Sequence, residues 1–292
     1  MSNRRNIIER HLRTLVGERH PDSAPRALNA AARYLATQLS RCGWETSRQS
    51  FSAWGKTYRN IIAVRNPPRR EAKNASPPIL VGAHYDTVVG SPGADDNASA
   101  LVVLLETAWH LRQTVFLRPV WLVAFCLEEQ GLLGSQAFAS RLKATGRELA
   151  GAIILECVGY ASRKPGSQQL PPGVPIRVPA IGDFLGIIGN EASQSLVAAV
   201  ERGARRARSG CPTLSLSVPA CGEALPDVRR SDHAAFWDEG FPAVMLTDTA
   251  NYRNPHYHQM TDTIETLDLN FIKGVIDIVV ASVKELAGRT KT

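Results

Sequence analysis

The chain has 292 residues, of which 44% are hydrophobic, 7% aromatic and 21% charged, a balance that excludes a mainly disordered or collagen-like protein. Lysine plus arginine number 34 against 27 acids, a net charge of +7, but no block of five or six basic residues and no basic module with interleaved aromatics occurs, so nucleic acid is not an expected partner. No apolar run approaches the roughly 20 residues that cross a bilayer, and the start MSNRRNIIERHLRTL has no apolar signal core; the expectation is a soluble, cytoplasmic protein with no membrane partner.

Helical spacing of Ile7, Ile8, His11, Leu12 and Leu15, and again of Leu28, Ala31, Ala32, Leu35, Leu39 and Cys42, predicts two opening helices, the second stopped by Gly43. Short β-type runs follow at 60–64, 79–83, 120–126, 152–155, 213–218 and 243–246. Helical stretches at 98–111, 132–142, 196–207 and 234–238 lie between them, and a last helix covers 269–286. Strand alternating with helix predicts a covered, largely parallel sheet, read here as a single domain over 1–292. Residues 161–179, with five prolines, read as a long loop near the site, and they and 184–188 are candidates to line it. Of five cysteines, Cys126 and Cys157 lie in apolar runs and read as core; only Cys211 and Cys221 are candidates to pair.

The runs 79–83, 120–126 and 153–155 are apolar throughout, as strands buried on both faces are, and each is followed at once by polar residues. Ligands of such sheets bind outside the carboxyl ends of the strands. There the sequence places His84 and Asp86 in HYDT, Asp95 and Asp96 in PGADDNASA, Glu128 and Glu129 at the end of WLVAFCLEE, Glu156 at the end of AIILE, and His256 and His258 in NPHYHQMTDT. Singly, each has a plain structural explanation: a surface histidine, a helix cap with a first-turn acid, a solvated turn. Together they are harder to explain that way, because carboxylates crowded at neighbouring buried strand ends repel one another unless cations offset them. A metal is the economical remedy. Histidine with carboxylates suits zinc, with manganese or cobalt as options, and no thiolate is well placed to join them.

These motifs, HYDT, GADDNAS, EEQGLLGS, LECVGY, RRSDHAAFWDEGFP and NPHYHQMTDT, resemble in composition and order the zinc aminopeptidase family that includes bacterial leucyl aminopeptidases and, more distantly, glutamate carboxypeptidase and glutaminyl cyclase. The resemblance runs from about residue 11 to about residue 268. It implies a three-layer α/β/α fold with a mixed, mainly parallel central sheet, zinc exopeptidase-like and phosphorylase/hydrolase-like, acting on peptide substrates with two zinc ions. It further implies His84 as ligand of one zinc with Asp86 accepting its other ring N–H, Asp96 as the bridging carboxylate, Glu129 and His258 on the other zinc, and Glu156 in the remaining ligand position, where many relatives have Asp. Glu128 matches the general base, which takes a proton from water and returns it to the departing amine. The Asp96–Asn97 peptide bond is implied to be cis. Several relatives carry a Tyr shortly before SDH as oxyanion donor; here Val228, Arg229 and Arg230 occupy that stretch, and Arg229 or Arg230 is a candidate contact for the transition state or for a substrate carboxylate, with a surface salt bridge as the plain alternative. His256 is expected at the rim, and Asp95 as a cap or behind the ligands. Two other readings remain at this point: single-zinc cyclisation of the glutaminyl cyclase kind, and an inactive binding module that keeps the fold.

Overall fold

Two amphipathic helices open the chain in the computed structural model, which describes residues 2–68, 76–174 and 176–288. Helix α1 (Ser2–Leu15) buries Ile8, Leu12 and Leu15, and α2 (Pro25–Arg41) buries Leu28, Ala31, Leu35 and Leu39 along one stripe. Gly43 follows α2 at φ +77, the left-handed position at which helices commonly stop. The remaining elements in chain order are β1 (Glu45–Ala53), β2 (Lys56–Arg65), β3 (Ile79–His84), α3 (Ala100–Leu111), β4 (Val120–Phe125), α4 (Leu133–Ala144), β5 (Gly151–Glu156), β6 (Leu185–Asn190), α5 (Gln194–Ala207), β7 (Thr213–Val218), α6 (His233–Asp238), β8 (Ala243–Thr247) and α7 (Leu269–Ala287).

All eight strands form one sheet in the order β1-β2-β4-β3-β5-β8-β6-β7. The pairs β3/β4, β3/β5, β5/β8 and β6/β7 are parallel, whereas β1/β2, β2/β4 and β6/β8 are antiparallel. The sheet is therefore mixed and mainly parallel, as expected. Side chains of the central strands alternate between two cores, because successive residues of a strand point to opposite faces. Val81, Ala83, Leu122, Ala124, Ile153 and Leu155 join α1, α2, α3, α5 and α7 on one face. Leu80, Val123, Phe125, Ala152 and Ile154 pack against α4 and α6 on the other. Each buried leucine, isoleucine or phenylalanine contributes roughly 1.5–3 kcal/mol relative to exposure, and this double burial explains the uninterrupted apolar runs.

Three expectations are corrected. Strands β1 and β6 were not legible: β1 reads ETSRQSFSA and lies at the sheet edge with no fully buried position, while β6 reads LGIIGN, its period broken by glycines. A Cβ on Gly189 would lie 2.4 Å from Val197 Cγ2, so the gap in the pattern is what lets α5 press on the sheet. The helix expected from residue 98 begins at Ala100; residues 94–99 form an irregular turn in which Asp96 and Asn97 leave helical φ/ψ, and the Asp96–Asn97 bond is cis. Cys211 and Cys221 are both free thiols. They flank opposite ends of β7, and at about 3.3 Å per residue that puts them on the order of 20 Å apart, far beyond disulfide reach. The long loop is present, but Pro175 within 161–179 lies outside the described residues.

Candidate metal centre

Four adjacent parallel strands, β4, β3, β5 and β8, end on one side of the sheet, and each delivers a polar side chain where its apolar run stops. His84 is the last residue of β3 and Glu156 the last of β5; Glu128 and Glu129 follow β4, and Asp248 follows β8. The chain turns sharply just past these ends, where Leu127, Cys157 and Thr249 have φ of 64, 47 and 85, and His258, in the loop between β8 and α7, has φ of 60. Such left-handed conformations are costly away from glycine and persist only where surroundings impose them. At Cys157 the imposing contact is Asn97, whose Oδ1 accepts from the Cys157 amide at 3.1 Å while its Nδ2 donates to the Leu155 carbonyl at 3.0 Å.

The turn carrying Asp96 is pinned from both sides. Asp262 accepts the amides of Asp95 (2.9 Å) and Asp96 (3.2 Å), and buried Arg19 donates to the carbonyls of Tyr85 (2.9 Å), Pro92 (3.1 Å) and Gly93 (3.1 Å). Gly93, at φ +62, leaves no room for a side chain, since its Cβ would meet the Asp96 carbonyl at 2.4 Å. Asp86 accepts the amides of Glu128 and Glu129, both at 3.1 Å. It lies 3.7 Å from His84 Nδ1, longer than a hydrogen bond, so its oxygens order the glutamate pair more than the imidazole.

The two oxygens of Asp96 face two different histidines. Oδ1 lies 3.1 Å from His84 Nε2 and Oδ2 lies 3.0 Å from His258 Nε2. Glu156 Oε2 is 3.4 Å from His84 Nε2, and Glu129 Oε2 is 3.3 Å from His258 Nε2. Two three-residue sets, His84–Asp96–Glu156 and His258–Asp96–Glu129, thus share one carboxylate. Despite these distances, His84 Nε2, His258 Nε2, Glu129 Oε1 and both Asp96 oxygens are buried without a hydrogen-bond partner, a cost that native proteins avoid unless another ligand completes the shell. Nitrogen and oxygen donors converging with unspent lone pairs fit zinc, so the residues present suit the implied metal.

Electrostatics agree with a site shaped for cations. Burial, then Asp96, raises Glu129 to about 7. Burial raises Glu128 well above the ordinary carboxylate range, with Glu156, Glu129 and Asp232 adding to it and His84 opposing. For His258, burial is outweighed by Asp96 and Glu129, which lift it to about 10. For Asp96, burial is outweighed by His258 and His84, which hold it below its usual value. Asp232 and Asp262 also rise to about 7, burial first. Without metal, these raised groups keep protons that the unfolded chain releases, so the metal-free protein loses stability as pH rises. His11 and His233, lowered to about 4 by burial, act in the opposite sense only below about pH 6.5. Thermal unfolding of chelated protein should therefore show a midpoint that falls from pH 6.5 to 9, and zinc should raise it more at pH 8.5 than at 6.5. A flat or rising metal-free curve would contradict the protonation assigned to this cluster.

The other expected residues fall as follows. Asp95 is spent on the Gly159 amide (2.8 Å) and Asn254 Nδ2 (2.7 Å), behind the sets. His256 Nδ1 pairs with Thr261 Oγ1 at 2.9 Å and is not part of either set. Arg229 turns away, to Asp238 Oδ1 and the Cys221 carbonyl, both at 2.6 Å. Arg230 stays at the site, donating to Asn251 Oδ1 (2.9 Å) and to the Tyr257 hydroxyl (3.2 Å). Three neighbours escaped sequence reasoning. The Tyr257 ring stacks on His258 at 3.8 Å between centroids, a position readable as the residue before His258. Ser231, in RRSDH, donates to Glu156 Oε2 at 2.8 Å. Cys157, expected as inert core, is buried but its thiol donates to Glu156 Oε1 at 3.3 Å and its sulfur lies within 4.8 Å of ligand atoms of Asp96 and Glu156; a thiol is therefore at the centre after all, brought there by the left-handed turn.

Beside Glu156 opens a cleft with about 840 Å³ of empty space, mouth included, walled by apolar side chains such as Val174, Ile188, Leu214, Leu216 and Met245, with Arg230 and Tyr257 also in its lining. Both segments expected to line the site contribute to it, the first through Gln168, Leu170, Pro171, Val174, Ile176 and Val178 and the second through Phe184, Gly186 and Ile188.

The family described as Peptidase family M28 matches residues 60–283. Uncharacterized protein YfbL of Escherichia coli K12 is 33% identical over 286 residues, covering 94% of this chain and 85% of that protein. Leucine aminopeptidase 1 of Arthroderma otae is 30% identical over 223 residues, 72% of this chain and 54% of that protein; the match thus spans about half the length of such relatives. Among solved structures, a zinc aminopeptidase from Bacillus subtilis is 26% identical with a TM-score of 0.62, covering 82% of this chain and 52% of that one.

Proposed function

The chain belongs to peptidase family M28, and from that premise we propose that it is a di-zinc aminopeptidase that hydrolyses the N-terminal residue from peptides. The observation that carries this reading is the divided carboxylate of Asp96, whose two oxygens face His84 and His258 with no hydrogen-bond partner of their own. His84, Asp96 and Glu156 would hold one ion, and His258, Asp96 and Glu129 the other. Bound zinc supplies Lewis acidity, polarising a carbonyl and making water easier to ionise. Of the carboxylates paired with His84 at the ligand face, Glu128 is the most distant, at 3.9 Å, which suits a group left free for proton transfer. Placed there, its carboxylate can take the proton of the attacking water and deliver it to the departing amine.

Tyr257 supplies the donor for the oxygen that becomes negative as water adds. A guanidinium only donates, so in its contact with Arg230 the Tyr257 hydroxyl accepts and its own proton remains free for the carbonyl oxygen. On this reading Arg230, rather than Arg229, stands at the reacting end, a placement supported by its contact with Tyr257. Carboxylates around the centre suit the free α-ammonium of a peptide terminus, and the adjoining apolar cleft suits the side chain of the residue removed.

The test is turnover of leucine amide and leucine-initiated dipeptides by zinc-loaded protein, with N-acetylated versions and chelated enzyme as controls. Release of leucine from the free-amine substrates alone, lost on chelation and restored by zinc, is the expected result. Release from blocked substrates would remove the exopeptidase assignment, and conversion of glutamine-initiated peptides to cyclised products without hydrolysis would replace it with glutaminyl cyclase chemistry.

A further inference from the structure

One wall of the apolar cleft hangs on a buried cation that the chemistry described above does not use. The segment after Tyr160 is closed at its base by Ser162, whose amide donates to the Gly182 carbonyl at 2.8 Å, and by the Gln169 amide, which donates to the Tyr252 carbonyl at 2.8 Å. Arg253 is 5% exposed and, among the described residues, forms no ion pair. Its Nε donates to Gln168 Oε1 at 2.8 Å, and its guanidinium lies 4.5 Å from the Phe184 ring centre and 5.9 Å from that of Phe271. Gly182 is pressed flat on it: a Cβ there would meet the Arg253 side chain at 2.8–2.9 Å. The other end of the Gln168 amide is held too, since Nε2 donates to Thr249 Oγ1 at 2.8 Å. Gln168 is thus fixed at both ends, between Arg253 and the turn that follows β8.

A buried guanidinium that makes no ion pair carries a desolvation cost, opposed here by the charges of Asp248 and Asp95, that a hydrocarbon side chain over two phenylalanines would not carry. Its Nε holds Gln168, and with it the chain that continues into Leu170, Pro171 and Val174, which line the same cleft as Ile188 and Leu216. We infer that Gln168, positioned by Arg253, sets the depth of this cleft and makes the protein select N-terminal residues with long apolar side chains over alanine. A leucine or phenylalanine side chain reaches the held wall and is desolvated by it, whereas a methyl group stops short. Gln168 determines specificity by contact; Arg253 acts through it as a positioning residue. The inference rests on the aminopeptidase reading for its substrates, but the cleft is measurable without turnover.

The experiment compares wild type, Arg253→Met and Gln168→Leu, which keep side-chain bulk and remove the bonds. The readouts are kcat/KM on leucine and alanine amides, and calorimetric affinity of the zinc-loaded proteins for leucine and alanine hydroxamates. Wild type should favour leucine in both, and each variant should reduce the leucine-to-alanine ratio about tenfold, the scale of one or two methylenes in an apolar pocket, with the kinetic change carried by KM. A ratio within twofold of wild type in both variants overturns the inference, even if overall turnover falls. If no protein turns over either amide, the aminopeptidase reading fails by itself and the hydroxamate ratio still decides the cleft. Gln168→Leu, which leaves the buried cation in place, provides the answer should Arg253→Met fail to fold.

Discussion

Glu128→Gln should retain bound zinc and the wild-type thermal midpoint while kcat falls by about 10²–10⁴-fold, the usual contribution of a positioned acid–base group. The amide has the shape of the carboxylate, and the backbone of Glu128 stays anchored through Asp86, so the loss isolates proton transfer from folding and metal binding. KM should change little, because the group serves the transition state more than the bound substrate. The acid limb of the kcat/KM profile should disappear with the residue. Turnover close to wild type would move the base elsewhere, with Glu129 the nearest alternative along the chain.

Asp96→Asn should have the other large effect. Because Asp96 is common to both sets, removing its charge should lower zinc content at both positions and bring turnover down to the level of chelated protein. Glu129 pairs with His258 and Glu156 with His84, so Glu129→Gln and Glu156→Gln should each deplete one ion more than the other. Equal zinc loss from all three variants would contradict a shared carboxylate, as would an Asp96→Asn protein that keeps both ions. Thermal unfolding of the metal-free variants separates these outcomes from misfolding.

The central part of the fold was legible because the physics that buries a strand on both faces leaves an apolar run with a polar end, as at Ile79–His84 and Gly151–Glu156. That same boundary located the acids and imidazoles. What the runs could not show was the periphery: β1 satisfies its pairing with a polar edge, and the glycines of β6 answer to close packing of α5 rather than to strand propensity. Side-chain direction was legible only where the motif fixed it. His258 and His256 stand two apart, and a left-handed His258 decides which one faces Asp96. Arg229 and Arg230 are neighbours of the same type, and only the folded chain shows one held by Asp238 and the other against Tyr257. Cys157 was assigned to the core by its apolar neighbours; its burial was read correctly and its direction was not.

The most direct test of a paired metal centre is diffraction from zinc-loaded crystals above and below the zinc edge. Two anomalous peaks are predicted on either side of the Asp96 carboxylate, one among His84, Asp96 and Glu156 and the other among His258, Asp96 and Glu129. A single peak, or none, at saturating zinc would contradict the account.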